Sequence, residues 1–151
     1  PGLEIQFAWD ISGDSGYRVP FQMNYTWMDA TFDSDIADAE FFGSVSKGDP
    51  VPYVPDHQAY ALLGFEKNRW SAYLSGSYTS SVCTLAECGA LDKTDSALVF
   101  DVAIHYQLPG PVQLYALGEN LTGELDIVGR QPYGARPGKD TSWLLGARLA
   151  F

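Results

Sequence analysis

Two cysteines stand close together in the segment Cys83-Thr-Leu-Ala-Glu-Cys88. Cysteines at this separation in a polar connection favour a disulfide that closes a small loop, and a disulfide indicates an oxidising compartment. Free thiols and a bound metal are the alternatives. A zinc site needs two further ligands nearby, and the neighbouring sequence supplies none, so we expect no metal and no cofactor.

A second group of chemistry-bearing residues is cationic. The segment 123–141 places Arg130, Arg136 and Lys139 around the aromatic residue Tyr133. Arginine makes charge-assisted and often bidentate contacts with carboxylates. Arg130, Tyr133 and Arg136 are therefore the candidate ligand contacts of the chain. The alternative is that the cations of this segment contact solvent or the phosphates of a membrane surface.

Asp101 and His105 are four residues apart, which places them on the same face of a strand. They are candidates for polar residues that line an interior and touch a ligand, or they are ordinary hydrated side chains, which we favour. No serine or cysteine stands where it would complete a convincing catalytic triad with them. We therefore predict that the protein is not an enzyme.

The elements that must position these residues show apolar side chains at every second position, which is the pattern of strands. Seven such segments are predicted: 2–11, 19–32, 58–66, 70–79, 97–107, 112–122 and 142–151. Short turns and long connections alternate between them. Strands of about ten residues suit a tilted membrane crossing. Short turns on one side and long loops on the other are typical of an outer-membrane β-barrel.

The aromatic residues support the same interpretation. The chain ends on Phe151, in phase with the apolar positions of the last segment, as in the closing strand of a bacterial outer-membrane barrel, so Phe151 is the predicted assembly signal. Tryptophan and tyrosine lie at both ends of the apolar faces, as expected at membrane–water interfaces. In segment 112–122 the phase is ambiguous, because Tyr115 and Leu117 compete with Leu114 and Ala116.

Composition limits the function classes. The 151 residues carry a net charge of -10, which argues against nucleic-acid binding, because phosphate contacts need a basic surface. Hydrophobic residues make up 46% of the chain, but no run of about 18 apolar residues predicts a transmembrane helix. Aromatic residues make up 14%, which favours strands.

Several motifs occur in a characteristic order. Tyr25-Thr-Trp-Met-Asp-Ala-Thr-Phe32 precedes Val54-Pro-Asp-His-Gln58, and Glu119-Asn-Leu-Thr122 precedes Gly134-Ala-Arg-Pro-Gly138. These motifs resemble the late barrel strands of TonB-dependent outer-membrane receptors, especially those of the ferric-dicitrate and siderophore type. The resemblance extends over nearly the whole chain.

Receptors of this family have a TonB-contacting segment, a plug domain and a 22-stranded barrel. The resemblance implies that residues 1–151 are the C-terminal segment of the barrel domain, without the plug and the earlier strands. The intact parent would be a multi-pass protein of the bacterial outer membrane that takes up a ferric chelate, either iron-citrate or a siderophore. Its implied partners are the TonB complex (through the plug), outer-membrane lipid, lipopolysaccharide and the barrel assembly machinery.

Seven strands leave two alternatives open, because single-chain bacterial barrels have even strand numbers. A small self-contained outer-membrane barrel with a structural or adhesion role needs an eighth strand, for which residues 39–45 are the candidate. A soluble ligand-binding sandwich would instead bury the seven apolar faces against one another.

Overall fold

The protein is described by a computed structural model of residues 1–14, 16–37, 39, 43–131 and 133–150. This part of the chain contains nine strands. They are β1 (Gly2–Gly13), β2 (Tyr17–Met28), β3 (His57–Lys67), β4 (Trp70–Thr79), β5 (Ala97–Gln107), β6 (Val112–Glu119), β7 (Ile127–Gly129), β8 (Arg136–Pro137) and β9 (Ser142–Leu149). Within those ranges, no helix has the length and apolar character needed to cross a membrane.

Seven of the strands form one antiparallel sheet in the order β1-β2-β3-β4-β5-β6-β9. Each strand pairs with its neighbour along the chain, except that β7 and β8 form a separate small hairpin before β9. In the described part of the chain, β1 and β9 are therefore the two edges of an open sheet. The prediction of an all-β fold with seven antiparallel strands is confirmed.

The cross-strand register gives the sheet one apolar and one polar face. Leu63 pairs with Leu74, and Leu74 pairs with Val102, so large apolar side chains follow one another across neighbouring strands. The same register resolves the ambiguous phase of β6. Leu114 pairs with Tyr106 on one side and with Ala147 on the other, which puts Leu114 on the apolar face. Side chains of directly paired residues share a face.

The apolar face is not a core. Trp9 is 60% exposed and Leu145 is 78% exposed, although both belong to well-paired strands. A continuous exposed apolar surface of this kind marks contact with another apolar phase or a partner. A sandwich would need a second sheet against this face, and the only other sheet of the described residues is the β7–β8 hairpin.

Buried side chains lie instead in the long connections and at their base. The buried hydrophobic residues of the described chain are Val45, Val82 and Ala86, and the buried polar ones are Thr84, Thr94 and Asn120. The long connections thus pack together, while both faces of the sheet stay largely uncovered.

Several aromatic side chains lie flat across a glycine on the paired strand. A Cβ atom added to Gly146 would lie 2.3 Å from the Tyr115 hydroxyl oxygen, and one added to Gly118 would lie 2.6 Å from the Trp143 ring. Tyr73 covers Gly64 in the same way. Bare glycine backbone therefore provides the space that lets bulky rings fit on the sheet.

The predicted strand ends differ most from the structure at the C-terminal ends of β2 and β6. β2 ends at Met28 and not at residue 32, because Ala30 and Phe32 bond to Val51, Asp49 and Gly48 within the following connection. β6 ends at Glu119 and not at residue 122, because Asn120 adopts φ +48°, which turns the chain away from the sheet. The β7–β8 hairpin was not predicted.

Within the candidate eighth strand, residues 39–45, the structure describes residue 39 and residues 43–45, and residues 40–42 lie outside the described part of the chain. The described residues beside it bond within the connection itself: Ile36 and Val45 exchange two backbone hydrogen bonds of 2.8 and 3.0 Å. The predicted assembly residue Phe151 also lies outside the described residues.

Candidate ligand-contact loops and the polar face

Three long connections lie at one end of the sheet, because the antiparallel strands are joined by short turns at the other end. We call them connection A (29–56), connection B (80–96) and connection C (120–141). Connection B carries the cysteines, and connection C carries the candidate cationic residues. The contacts between the three connections decide whether the cysteines and the cationic residues belong to one site.

Connection B is closed by a disulfide between Cys83 and Cys88, whose Cα atoms are 5.3 Å apart. Thr84 inside this loop is fully buried. Its backbone N and its Oγ1 both donate to the carbonyl oxygen of Asp92, at 2.7 and 2.8 Å. Gly89 N donates to the Asp92 carboxylate at 3.2 Å. The disulfide and these bonds together define a compact loop with little freedom.

Connection B bonds to both of its neighbours. Tyr53 N of connection A donates to Cys83 O at 2.8 Å. On the other side, Asp95 N donates to Ile127 O at 2.9 Å, and Ile127 N donates back to the Asp95 carboxylate at 2.8 Å. Arg130 Nε donates to Lys93 O. Connection B therefore links connection A to the β7–β8 hairpin.

Connections A and C also meet directly, at Gln131. The Tyr53 hydroxyl accepts a hydrogen bond from Gln131 N at 3.0 Å and donates to Gln131 O at 3.4 Å. The two residues are 78 positions apart in sequence. The three connections thus form one hydrogen-bonded assembly and not three independent loops.

The structure brings the three candidate ligand contacts onto the β7–β8 hairpin region of connection C. Arg130 is half-buried and bonds to Lys93 O. Arg136 is exposed, and its Nη2 donates to Gln131 O at 3.0 Å. Tyr133 is 92% exposed. Each guanidinium has five N–H donors, so one bond to backbone orients the group and leaves donors for an anion.

The base of connection C is held by Asn120, which is 3% exposed. Its Nδ2 donates to Glu124 O at 2.9 Å and to Lys139 O at 2.8 Å, and its Oδ1 accepts from Thr122 Oγ1 at 3.0 Å. Its backbone oxygen accepts from Thr141 Oγ1 at 2.7 Å. One asparagine therefore joins the start of the connection to its end.

Lys139 is drawn away from the candidate ligand contacts. Its Nζ pairs with the Glu119 carboxylate, which also accepts from Ser142 Oγ at 2.9 Å. Both partners are about half exposed, and exposed ion pairs contribute little to stability. The pair nevertheless assigns Lys139 to the base of the connection.

Asp101 and His105 both lie on the polar face, where they pair with Ser75 and Ser71 of β4. The Asp101 carboxylate accepts the backbone N–H of Asn120 at 2.9 Å, so it helps to fasten connection C. The His105 ring lies between two tyrosine rings, Tyr73 and Tyr115, with centroid distances of 6.3 and 6.4 Å. The two residues are thus not brought together into a reactive pair.

The polar face holds a further network that the sequence pattern did not single out. Near the short-turn end, Arg18 bonds to the Asp10 carboxylate and, at 3.2 Å, to Glu66 Oε2. Tyr73 OH donates to Glu66 Oε1 at 2.5 Å. These residues come from four strands, and only the cross-strand register shows that they meet.

Sequence reasoning also missed Tyr53 and the role of Asn120. Tyr53 lies between two prolines in Pro52-Tyr-Val-Pro55, and the Asn120 position follows directly on a strand. Asparagine tolerates positive φ better than most residues, which was the available signal at Asn120. In the described ranges, no group of three or more His, Cys, Asp or Glu side chains is placed to hold a metal ion.

Residues 2–121 match a family model described as TonB dependent receptor-like, beta-barrel. The solved structures that are similar to the chain include the following two. The siderophore receptor PiuA from Acinetobacter baumannii has a TM-score of 0.73 and 14% identity, over 97% of this chain and 21% of that chain. The copper transporter OprC has a TM-score of 0.56 and 13% identity, over 99% of this chain and 31% of that chain.

Because the identities are only 14% and 13%, the similarity of these two structures to the chain shows a shared fold alone. The chain spans about a fifth of the length of PiuA and about a third of that of OprC. Among curated proteins there is no match to the sequence.

Proposed function

The chain belongs to the TonB-dependent receptor-like β-barrel family, and on this premise we propose that residues 1–151 form the C-terminal segment of the barrel domain of an outer-membrane receptor. The observation that carries the proposal is the single sheet with one exposed apolar face and one polar face. In a barrel wall the apolar face contacts lipid and the polar face lines the lumen. The open edges at β1 and β9 would pair with further strands of the intact receptor, because unpaired backbone is costly in lipid.

The lengths of the connections support a proposed orientation in the bacterial outer membrane. Short turns face the periplasm in such barrels, and long loops face the outside. Connections A, B and C would then be extracellular. Exposed Trp9 and Trp70 lie towards the short turns and exposed Trp143 lies at the other end of the sheet, as expected for the two interfacial belts.

The intact receptor would carry out TonB-dependent uptake of a scarce nutrient, and we propose a ferric chelate with carboxylate ligands as its substrate class. The TonB complex would act through a plug that other parts of the receptor supply. Arg130, Tyr133 and Arg136 are the proposed ligand contacts in this chain. The two arginines support the assignment, because each is oriented by a backbone carbonyl oxygen and keeps donors for an anion.

Binding and uptake of ferric citrate by the intact receptor test the proposal. Arg136→Gln removes a charged donor, and a charge-assisted hydrogen bond contributes about 1.5–3 kcal/mol. The affinity for ferric citrate should therefore fall by about 10- to 100-fold. Arg69→Gln, at the short turn between β3 and β4, makes the same change at the opposite end of the sheet and should leave the affinity unchanged.

Uptake of labelled iron in cells with and without TonB completes the test. The proposal predicts uptake that requires TonB and that falls with Arg136→Gln. Uptake that is independent of TonB would contradict the transport mechanism. Equal affinity for ferric citrate in the Arg136→Gln and Arg69→Gln variants would show that Arg136 is not a ligand contact.

A further inference from the structure

We infer that Tyr53 of connection A is a positioning residue for Arg136 of connection C and acts through the backbone of Gln131. The inference rests on the proposed function, in which Arg136 contacts an anionic chelate. It assigns part of the affinity for the ligand to a residue that lies in a different connection and need not touch the ligand.

Gln131 is the point at which the two side chains converge. Its carbonyl oxygen accepts from the Tyr53 hydroxyl at 3.4 Å and from Arg136 Nη2 at 3.0 Å. Its N–H donates to the Tyr53 hydroxyl at 3.0 Å. The tyrosine hydroxyl thus holds both polar groups of one peptide residue. Because Arg136 bonds to the same oxygen, any shift of Gln131 moves the anchor of the guanidinium.

Tyr53 is itself tightly placed. Its φ is +62°, a left-handed conformation that is uncommon for a bulky residue. Such a conformation persists only where the surrounding structure determines it. Here the backbone N of Tyr53 bonds to Cys83 O at 2.8 Å, in the disulfide-closed connection B, and the preceding Pro52 is buried. The hydroxyl is therefore presented to Gln131 from a fixed backbone.

A second contact restricts Arg136 from the other side. Gly129 pairs with Arg136 across the β7–β8 hairpin. A Cβ atom on Gly129 would lie 3.0 Å from Arg136 Nη2 and 3.3 Å from Nε. The guanidinium thus packs onto bare backbone, and the glycine keeps that space open.

These two restraints hold the Arg136 guanidinium in place before a ligand binds. Ordering a long, flexible side chain on binding reduces affinity, and holding it in place beforehand removes part of that cost. Tyr53→Phe keeps the ring but removes both hydrogen bonds to Gln131. Arg136 should then lose its fixed anchor and bind an anion more weakly.

Hydrogen exchange of the Gln131 amide in the intact, ligand-free receptor tests the anchor. Tyr53→Phe should speed this exchange by about tenfold, whereas Tyr17→Phe, at the short-turn end of β2, should not change it. Unchanged protection of Gln131 in Tyr53→Phe overturns the inference. This readout needs no ligand, so it stands even if the receptor does not bind ferric citrate and the proposed substrate class fails.

A double-mutant cycle with ferric citrate as the probe tests whether Tyr53 acts through Arg136. Tyr53→Phe should weaken binding by about fivefold in the wild-type background and should have no further effect beside Arg136→Gln. An equal loss in both backgrounds would show that Tyr53 acts independently of Arg136 and would overturn the inference.

The Gly129→Ala variant tests the position of the Arg136 side chain without changing Tyr53. The added methyl group should displace the guanidinium and weaken ferric citrate binding, while exchange at Gln131 stays within threefold of wild type. Unchanged affinity in Gly129→Ala, in a receptor that binds ferric citrate, would show that the position of the guanidinium does not matter and would overturn the inference.

Discussion

Asn120 is the residue whose replacement should most loosen the assembly of connections A, B and C. It is 3% exposed, and its Nδ2 bonds to the carbonyl oxygens of Glu124 and Lys139 at 2.9 and 2.8 Å, which join the two ends of connection C. Asn120→Ala removes both bonds at once. It also places alanine at φ +48°, a left-handed conformation that asparagine tolerates better because its short polar side chain can bond locally.

The size of the effect follows from these two terms. An intramolecular hydrogen bond contributes about 1 kcal/mol net, so the two Nδ2 bonds contribute about 2 kcal/mol. Alanine in the left-handed conformation adds about 1 kcal/mol. The local opening free energy of connection C should therefore fall by about 3 kcal/mol, which is about a 100-fold change in the opening equilibrium.

Hydrogen exchange of the intact receptor measures this opening directly. The reporter amides are Gly123, which bonds to Asn120 O at 3.1 Å, and Gly138, which bonds to Asp126 O at 2.8 Å. Asn120→Gly loses the same side-chain bonds but relieves the backbone conformation, so its exchange should rise by only about 30-fold. Asn24→Ala, in the middle of β2, is the matched control and should leave both amides unchanged.

Exchange at both amides within threefold of wild type in Asn120→Ala would refute the reasoning. It would mean that the base of connection C is held by other contacts. Equal effects of alanine and glycine would refute only the contribution of the positive φ.

Three further predictions concern the sheet, the disulfide and the chain end. Leu74→Lys, on the apolar face, should lower the free energy of unfolding in lipid vesicles by about 2–4 kcal/mol. Ser75→Lys, on the polar face, should leave this free energy nearly unchanged. Equal effects of the two substitutions would contradict the assignment of the faces. Cys83 and Cys88 should react with an alkylating reagent only after reduction, and thiols that react without reductant would exclude the disulfide. Cys83→Ser should destabilise the loop of connection B by about 2 kcal/mol, which would be measured as about 30-fold faster hydrogen exchange of its amides. Deletion of Phe151 should impair assembly of the intact receptor in the outer membrane, and normal assembly would contradict its role as the assembly signal.

The strands and the face that each residue takes were largely predictable, because both depend on a local pattern with period two. β4 and β5 begin and end where the alternation predicts, at residues 70–79 and 97–107. The strand ends that were wrong depend on bonds to distant residues. β2 stops at Met28 because the chain then pairs with residues 48–51 of connection A, which no local pattern reveals.

The phase of β6 was ambiguous because large side chains occur on both of its faces. The structure shows why the polar face accepts them. Tyr115 lies across the bare backbone of Gly146, and Leu117 pairs with Ala103 and Leu144 in a small apolar patch. Both fits depend on partners in other strands, so residue type along β6 alone does not decide the phase.

The candidate ligand contacts can be chosen from the sequence, but their geometry cannot be predicted from it. Charge and residue type mark Arg130, Tyr133 and Arg136 from the sequence. That Arg136 is anchored at Gln131 by Tyr53 depends on a contact 78 positions apart in the chain, which only the folded connections create. Asp101 shows the same limit, because its carboxylate bonds to the backbone of Asn120 instead of standing free on the polar face.

We propose that the sheet is a membrane-spanning wall with one face in lipid and one face in water. Single nitroxide labels along β4, at residues 70–79 of the intact receptor in lipid vesicles, test it most directly. Collision with oxygen reports lipid, and collision with a water-soluble nickel complex reports water. We predict strict alternation, with Ala72, Leu74 and Gly76 in lipid and Tyr73 and Ser75 in water. Equal access of the nickel complex to both sets would contradict the account.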